Sequence, residues 1–135
     1  LLQRERKGFY LQPTIVADVD PASRMIQEEV FGPALPIVRV KTLDQAIEHA
    51  NSSIFGLGSS IWTRDINRAM YGAENIEAGY TWVNSAQIIY DELPFGGVKQ
   101  SGLGKEHGDE AIEYYTDSKS VVIATDVGGE IIGGE

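Results

Sequence analysis

The sequence contains no cysteine and only two histidines among its 135 residues. The lack of cysteine excludes a disulfide framework, a thiolate metal site and a cysteine nucleophile within this chain. His49 and His107 are far apart in the sequence, which argues against a histidine-based metal centre and indicates two surface residues. We therefore expect no metal site and no catalytic nucleophile in these residues.

Positive charge is also scarce, with 11 Lys and Arg against 20 Asp and Glu, for a net charge of −9. This balance argues against a nucleic-acid partner and against binding to an anionic membrane surface. No apolar run is long enough to span a bilayer, and no secretory signal opens the sequence. The first residue is Leu1 rather than methionine, so we expect a fragment or a processed product.

The composition is that of a globular domain, with 42% hydrophobic and 23% charged residues. A chain of this length is one domain and removes roughly two-thirds of its unfolded surface from water. We therefore expect a substantial apolar core.

Strand-like and helix-like segments alternate along the chain. Thr42 and Gln45 form a capping box before an amphipathic stripe, and Asp65 is a second N-cap before Ile66, Ala69, Met70 and Ala73. Other helices are predicted at 23–28 and 106–115, and strands at 9–16, 35–40, 57–62, 80–84 and 120–125. The alternation predicts an α/β fold built from βαβ units with a parallel sheet. Gly56 and Gly58 indicate close backbone contact.

Residues 94–104 form a glycine-rich loop that follows a predicted strand, where parallel sheets place ligands. Neither nucleotide motif fits this loop. Leu103 follows Gly102 where the phosphate-loop pattern needs lysine, and His107 stands where the dinucleotide pattern needs glycine.

The hexapeptide at 28–33, EEVFGP, combines a carboxylate, an aromatic ring and a rigid Gly-Pro corner. In an extended segment Glu29 and Phe31 project from one face, which suits the hydroxyls of a ribose and a planar heterocycle. The alternative is a solvated Glu29 and a core Phe31 beside an ordinary turn.

Five blocks together resemble the C-terminal part of the NAD(P)-dependent aldehyde dehydrogenases. They are GFYLQPT at 8–14, EEVFGP at 28–33, YTWVN at 80–84, PFGGVKQSG at 94–102 and EYYT at 113–116. The resemblance implies a catalytic-domain portion at 1–117, an oligomerisation strand at 118–127 and a flexible acidic glycine-rich tail at 128–135.

By this resemblance Glu29 looks like the glutamate that binds the nicotinamide ribose, and Phe31 like the aromatic beside it. Asn84, Gln87, Ile89 and Phe95 look like residues of the aldehyde channel, although Ile89 and Phe95 also fit ordinary core packing. The implied cofactor is NAD or NADP. The implied partners are a small aldehyde and further copies of the chain, in the cytoplasm.

The family reaction needs a cysteine thiolate that attacks the aldehyde, a hydride acceptor and a glutamate-activated water that releases the acid. The chain has no cysteine, so the resemblance implies a fragment that is inactive alone. Two other hypotheses are a non-catalytic oligomerisation or interaction module derived from the family, and an unrelated α/β binding module.

Asp91 and Glu92 suit either a cationic aminoaldehyde or a plain solvated loop. Lys99 is interpreted as a structural lysine.

Overall fold

A computed structural model describes residues 7–124, and its helices and strands are short. In chain order they are β1 (Thr14–Ala17), α1 (Arg24–Gln27), β2 (Ala34–Ile37), α2 (Leu43–Asn51), β3 (Phe55–Gly56), β4 (Gly58–Ile61), α3 (Ile66–Asn75), β5 (Tyr80–Val83), β6 (Val98–Lys99) and α4 (Glu110–Glu113).

Two βαβ units organise the described residues. β1 and β2 pair in parallel with α1 between them, from Thr14 opposite Ala34 to Ala17 opposite Ile37. β4 and β5 pair in parallel with α3 between them, from Gly58 opposite Tyr80 to Ile61 opposite Val83. The predicted α/β class with parallel strands is confirmed.

The prediction of one parallel sheet is wrong for the described residues. β3 pairs with β6 in the antiparallel sense, and the six strands form three separate two-stranded sheets. Strands of two to four residues make few ladder bonds, and a sheet of two strands is marginal without further strands or a packed helix.

Both predicted helix caps are present. The Gln45 N–H donates to Thr42 Oγ1 at 3.1 Å, and Gln45 Oε1 accepts from the Lys41 N–H at 2.9 Å. Asp65 Oδ1 accepts from the Asn67 and Arg68 N–H groups at 2.9 and 3.4 Å. These bonds satisfy N–H groups that the first turn of a helix leaves free.

α3 presents a different face from the predicted one. Ala69 and Gly72 are buried, whereas Ile66 and Met70 are exposed. A Cβ on Gly72 would lie 2.9 Å from Ile61 Cδ1, so the small residues let the helix approach β4 closely. The larger side chains therefore lie outside this contact.

Three predicted elements are shorter in the structure or missing from it. Residues 106–115 contain only the four-residue α4, because His107 and Gly108 have φ values of 60° and 64° and cannot continue a helix. β1 begins only after Pro13. Residues 120–124 form no strand, since they pair with no other strand among residues 7–124. Thr125 and the predicted tail at 128–135 lie outside the described residues.

The expected apolar core is nearly absent. Ile47 at 8% exposure and Ala69 at 2% are the buried apolar side chains among residues 7–124. The accessible surface is 11,649 Å², against about 7,000 Å² for a folded monomer of this mass. The expectation failed because it rested on chain length and composition alone, whereas the described residues form three separate two-stranded sheets that bury few side chains.

Neither a membrane helix nor a metal centre occurs among the described residues. None of their helices has the length and hydropathy needed to cross a bilayer. No group of three or more His, Asp or Glu side chains is placed to hold a metal ion in this part of the chain.

Candidate functional site

The segment between α1 and β2 makes two consecutive tight turns. The Gly32 N–H donates to the Val30 carbonyl at 2.8 Å, and the Ala34 N–H donates to the Gly32 carbonyl at 2.8 Å. Each bond spans three residues, as in a γ-turn, with Phe31 and Pro33 at the two centres. The predicted rigid corner is present, and it already includes Phe31 at the centre of its first turn. The projection of Glu29 and Phe31 from one face stays a prediction.

Glu29 lines a cleft of about 610 Å³ between the first βαβ unit and the elements that follow it. The end of α2, β3, the start of β4 and residues 100–101 form the rest of the wall. Apolar side chains of the wall include Ile26, Phe55, Leu57 and Ile76. A largely apolar wall with a few polar groups is typical of a small-molecule site.

Three carboxylates line this cleft, and two of them are paired. Glu28 accepts two hydrogen bonds from Arg24, at 2.7 and 2.8 Å. The Arg24 guanidinium lowers the pKa of the Glu28 carboxyl, and the carboxylate raises the pKa of Arg24 in return. Glu77 pairs with Lys99 at 2.6 Å. Glu29 has no hydrogen bond or ion pair within residues 7–124, so its oxygens are available to a ligand.

Lys99 links several residues on the side of the cleft opposite Glu29. Its Nζ donates to the carbonyl oxygens of Asn51 and Ser53, at 2.8 and 3.1 Å, at the end of α2. The Asn51 side chain donates to the Asn75 carbonyl and accepts from the Glu77 N–H, both at 2.8 Å. This cluster agrees with the interpretation of Lys99 as a structural lysine.

Gly56 sits at the base of the same wall and confirms the predicted close approach. A Cβ there would overlap the Glu77 carbonyl oxygen and lie 2.8 Å from Val98 Cγ2. The Gly56 N–H donates to Ser101 Oγ at 2.9 Å, which fixes the start of the glycine-rich segment against β3. Only glycine leaves room for this contact.

The structure does not bring Phe31 into the cleft. Its side chain is 97% exposed, and it is absent from the cleft lining that includes Glu29. Of the two predicted cofactor residues, Glu29 lines this cleft and Phe31 does not.

The Asn84 side chain links the ends of β4 and β5 through hydrogen bonds. Its side chain accepts from the Thr63 N–H at 2.9 Å and donates to the Thr63 carbonyl at 2.8 Å. Its backbone has a φ of 52°, a conformation that asparagine tolerates better than most residues. Both ends of the amide are therefore bonded to the Thr63 backbone, and each end can still make a further hydrogen bond.

The other predicted channel residues do not share one cavity with Asn84. Gln87 and Ile89 are exposed in the loop after β5. Phe95 packs against Tyr80 with ring centroids 5.6 Å apart, and it lines a separate cleft of about 300 Å³ beside the glycine-rich loop. These four residues stay a prediction.

Comparison with known proteins assigns a family. Residues 2–121 match the model of the aldehyde dehydrogenase family. The chain is 44% identical over 119 residues to phenylacetaldehyde dehydrogenase of Pseudomonas fluorescens, covering 87% of this chain and 24% of that protein. The chain belongs to the aldehyde dehydrogenase family. It spans about a quarter of the length of the curated relatives it matches.

Solved structures of similar proteins agree with this aldehyde dehydrogenase assignment. PnpE from Pseudomonas sp. WBC-3 matches with a TM-score of 0.85 and 42% identity, over 93% of this chain and 26% of that one. Betaine aldehyde dehydrogenase from Staphylococcus aureus, solved in complex with NAD⁺, matches with a TM-score of 0.77 and 38% identity, over 80% and 21%. The described fold is thus shared with proteins several times longer.

Sequence reasoning about this aldehyde dehydrogenase chain missed two groups of residues. One is the cluster of Asn51, Glu77 and Lys99 on the cleft wall, and the other is the pair of Asp91 and His107. Neither group has a fixed spacing that a sequence pattern would reveal. An asparagine at the end of an amphipathic helix and a lone lysine in a glycine-rich loop were the available signals.

Proposed function

We propose that the chain is the C-terminal portion of an NAD(P)-dependent aldehyde dehydrogenase that oxidises a small aldehyde to a carboxylic acid. The family match, the quarter-length coverage and the order of the five sequence blocks support this proposal. Within that enzyme the chain contributes Glu29 and Phe31 to the nicotinamide end of the cofactor site. It contributes Asn84, Gln87, Ile89 and Phe95 to the aldehyde channel.

The unpaired carboxylate of Glu29 is the observation that carries the proposal. The two other carboxylates of the 610 Å³ cleft are held by Arg24 and Lys99, which leaves Glu29 as the acceptor for a ligand. A carboxylate that accepts from two ribose hydroxyls makes charge-assisted hydrogen bonds of about 1.5–3 kcal/mol each. Such a pair fixes the sugar and therefore the plane of the attached ring.

The bound dinucleotide supplies the hydride acceptor. The residues of this chain hold the sugar, shape the channel and keep the aldehyde away from bulk water. The nucleophilic thiol comes from outside these 135 residues, since they contain no cysteine. We therefore infer that the chain alone does not oxidise aldehydes.

The exposed apolar surface supports a role as part of a larger domain. Side chains such as Phe9, Trp62, Leu103 and Tyr115 are exposed on the described chain. Isolated exposed hydrophobic residues are normal on a protein surface. A large number of exposed apolar side chains on a chain with almost no buried core indicates surfaces that other polypeptide covers. We assign residues 1–117 to the catalytic domain on this basis.

The end of the described chain suits subunit pairing. Val121, Val122 and Ile123 are exposed and form no strand within residues 7–124. Consecutive β-branched residues readily add a strand to the edge of another sheet. We infer that residues 118–127 pair with a neighbouring subunit of a homo-oligomer and that residues 128–135 form a tail beyond this strand.

A hybrid enzyme tests the proposal. This chain replaces the matching 24% of the P. fluorescens phenylacetaldehyde dehydrogenase, to which it is 44% identical. We expect the hybrid enzyme to reduce NAD⁺ in the presence of phenylacetaldehyde, and the isolated 135-residue chain to show no turnover. A soluble, folded hybrid enzyme without dehydrogenase activity would contradict the proposal and favour a non-catalytic interaction module.

A further inference from the structure

The loop between β5 and Pro94 lines a third cleft, of about 450 Å³. The lining includes Tyr90 and Leu93 of the loop and Trp82 and Val83 of β5. The loop has no regular structure, so a few contacts decide where it lies. Trp82 Nε1 donates to the Ile88 carbonyl at 2.6 Å and holds its first half against β5.

Asp91 holds the second half of the loop through two different groups. Its carbonyl oxygen accepts from the Gly108 N–H at 2.9 Å. Its carboxylate Oδ1 lies 3.0 Å from His107 Nδ1. One residue of the loop is thus bound to two consecutive residues of a distant segment.

The conformation of His107 and Gly108 makes this double contact possible. Both residues have left-handed φ values, 60° and 64°, and such a pair reverses the chain direction sharply. The preceding residue, Glu106, exchanges two backbone hydrogen bonds with Phe95, at 2.6 and 2.7 Å. The segment that binds Asp91 is therefore itself held by hydrogen bonds to Phe95, just after the end of the loop.

The charges around this contact are almost all negative. Those near His107 in the sequence or on the loop are Asp91, Glu92, Glu106, Asp109 and Glu110. The nearest lysine in the sequence, Lys105, is engaged by the Gly96 and Gly97 carbonyls at 3.1 and 3.4 Å. The His107 imidazole is thus the partner available to the Asp91 carboxylate, whose side chain is 91% exposed against 35% for His107.

We propose that Asp91 and His107 form a clasp that fixes the loop at the 450 Å³ cleft, which makes His107 a positioning residue for the aldehyde channel. This inference rests on the proposed function, because Ile89 of the channel prediction lies on the clasped loop.

Variants of the complete dehydrogenase test the clasp, with His107→Gln and Asp91→Asn each removing one side of it. We expect the KM for the aldehyde to rise about two- to five-fold in each variant, as loss of an exposed polar pair allows, with kcat and the affinity for NAD⁺ unchanged.

Amide exchange gives a readout that does not depend on turnover. We expect residues 88–93 to exchange faster in both variants than in the unmodified protein. Glu92→Gln is the matched control, since Glu92 carries the same charge one residue away and makes no hydrogen bond or ion pair within residues 7–124. It should leave the KM and the exchange unchanged.

Two results would overturn the clasp: unchanged exchange at residues 88–93 in both variants, or equal effects of Glu92→Gln and His107→Gln. A complete protein without aldehyde oxidation would instead contradict the proposed function. In that case the exchange experiment still decides whether the clasp exists.

Discussion

The two βαβ units of this chain share one architecture but differ in how they are held. In the unit from β4 to β5, α3 has ten residues, a capping Asp65 and the buried Ala69. In the unit from β1 to β2, α1 has four residues, no side-chain cap bond and no buried residue. The β4–β5 unit is therefore stabilised largely by its own contacts, and the β1–β2 unit is not.

This difference matters because Glu29 belongs to the weakly held unit. It follows α1 directly and precedes the γ-turns at Phe31 and Pro33. The unit that carries the candidate cofactor residue is thus the one whose helix is short and has no buried residue. This weak packing agrees with the proposal that other parts of a larger enzyme complete the site.

Matched glycine substitutions should give the largest difference, between the β1–β2 unit and β3, the strand that directly precedes the β4–β5 unit in the chain. Gly56→Ala places a Cβ against the Glu77 backbone, which cannot move aside as a side chain does. We expect the hybrid enzyme to lose about 1–3 kcal/mol of stability, measured as a lower midpoint of unfolding in denaturant. Gly32→Ala is the control, because nothing lies within 4 Å of its added Cβ and its φ is not positive.

An equal loss of stability in Gly32→Ala and Gly56→Ala would contradict this expectation. That result would show that the β1–β2 unit is packed as tightly as the rest, against the low burial of its residues.

Matched cap substitutions should give a smaller difference. Asp65→Ala removes the acceptor of two N–H groups and should lower the free energy of unfolding by about 0.5–2 kcal/mol. Ser23→Ala removes a buried hydroxyl that has no hydrogen-bond partner, so stability should stay equal or increase slightly. Thermal unfolding of the two hybrid variants measures both effects, and a larger loss for Ser23→Ala would contradict this account of α1.

The parts of the fold that could be predicted rest on short-range chemistry. The caps at Thr42 and Asp65 join groups two to three residues apart, so the sequence alone contains both partners. The parallel βαβ units follow from the alternation of element types. The corner at Gly32-Pro33 follows from the fixed φ of proline, although the turn begins one residue earlier than expected.

The remainder depends on contacts that no local pattern specifies. Lys99 reaches Asn51 across 48 residues, and the α3 face was misjudged because helical spacing fits several faces when small residues are included. The helix predicted at 106–115 shortens because two residues with positive φ interrupt it, and one of them is a histidine rather than glycine. For the site, the motif was enough to identify Glu29. The ion pairs of Glu28 with Arg24 and of Glu77 with Lys99, which leave Glu29 as the unpaired carboxylate of the cleft, could not be predicted.

The most direct test of the central claim compares Glu29→Gln with Glu28→Gln in the hybrid enzyme. We expect Glu29→Gln to lower kcat about tenfold or more and to weaken NAD⁺ binding, since a charged acceptor becomes a neutral one. The matched Glu28→Gln removes a carboxylate already held by Arg24 and should leave kcat and NAD⁺ binding nearly unchanged. Equal kcat and NAD⁺ affinity in Glu29→Gln and the unmodified hybrid enzyme would contradict the claim that Glu29 holds the cofactor.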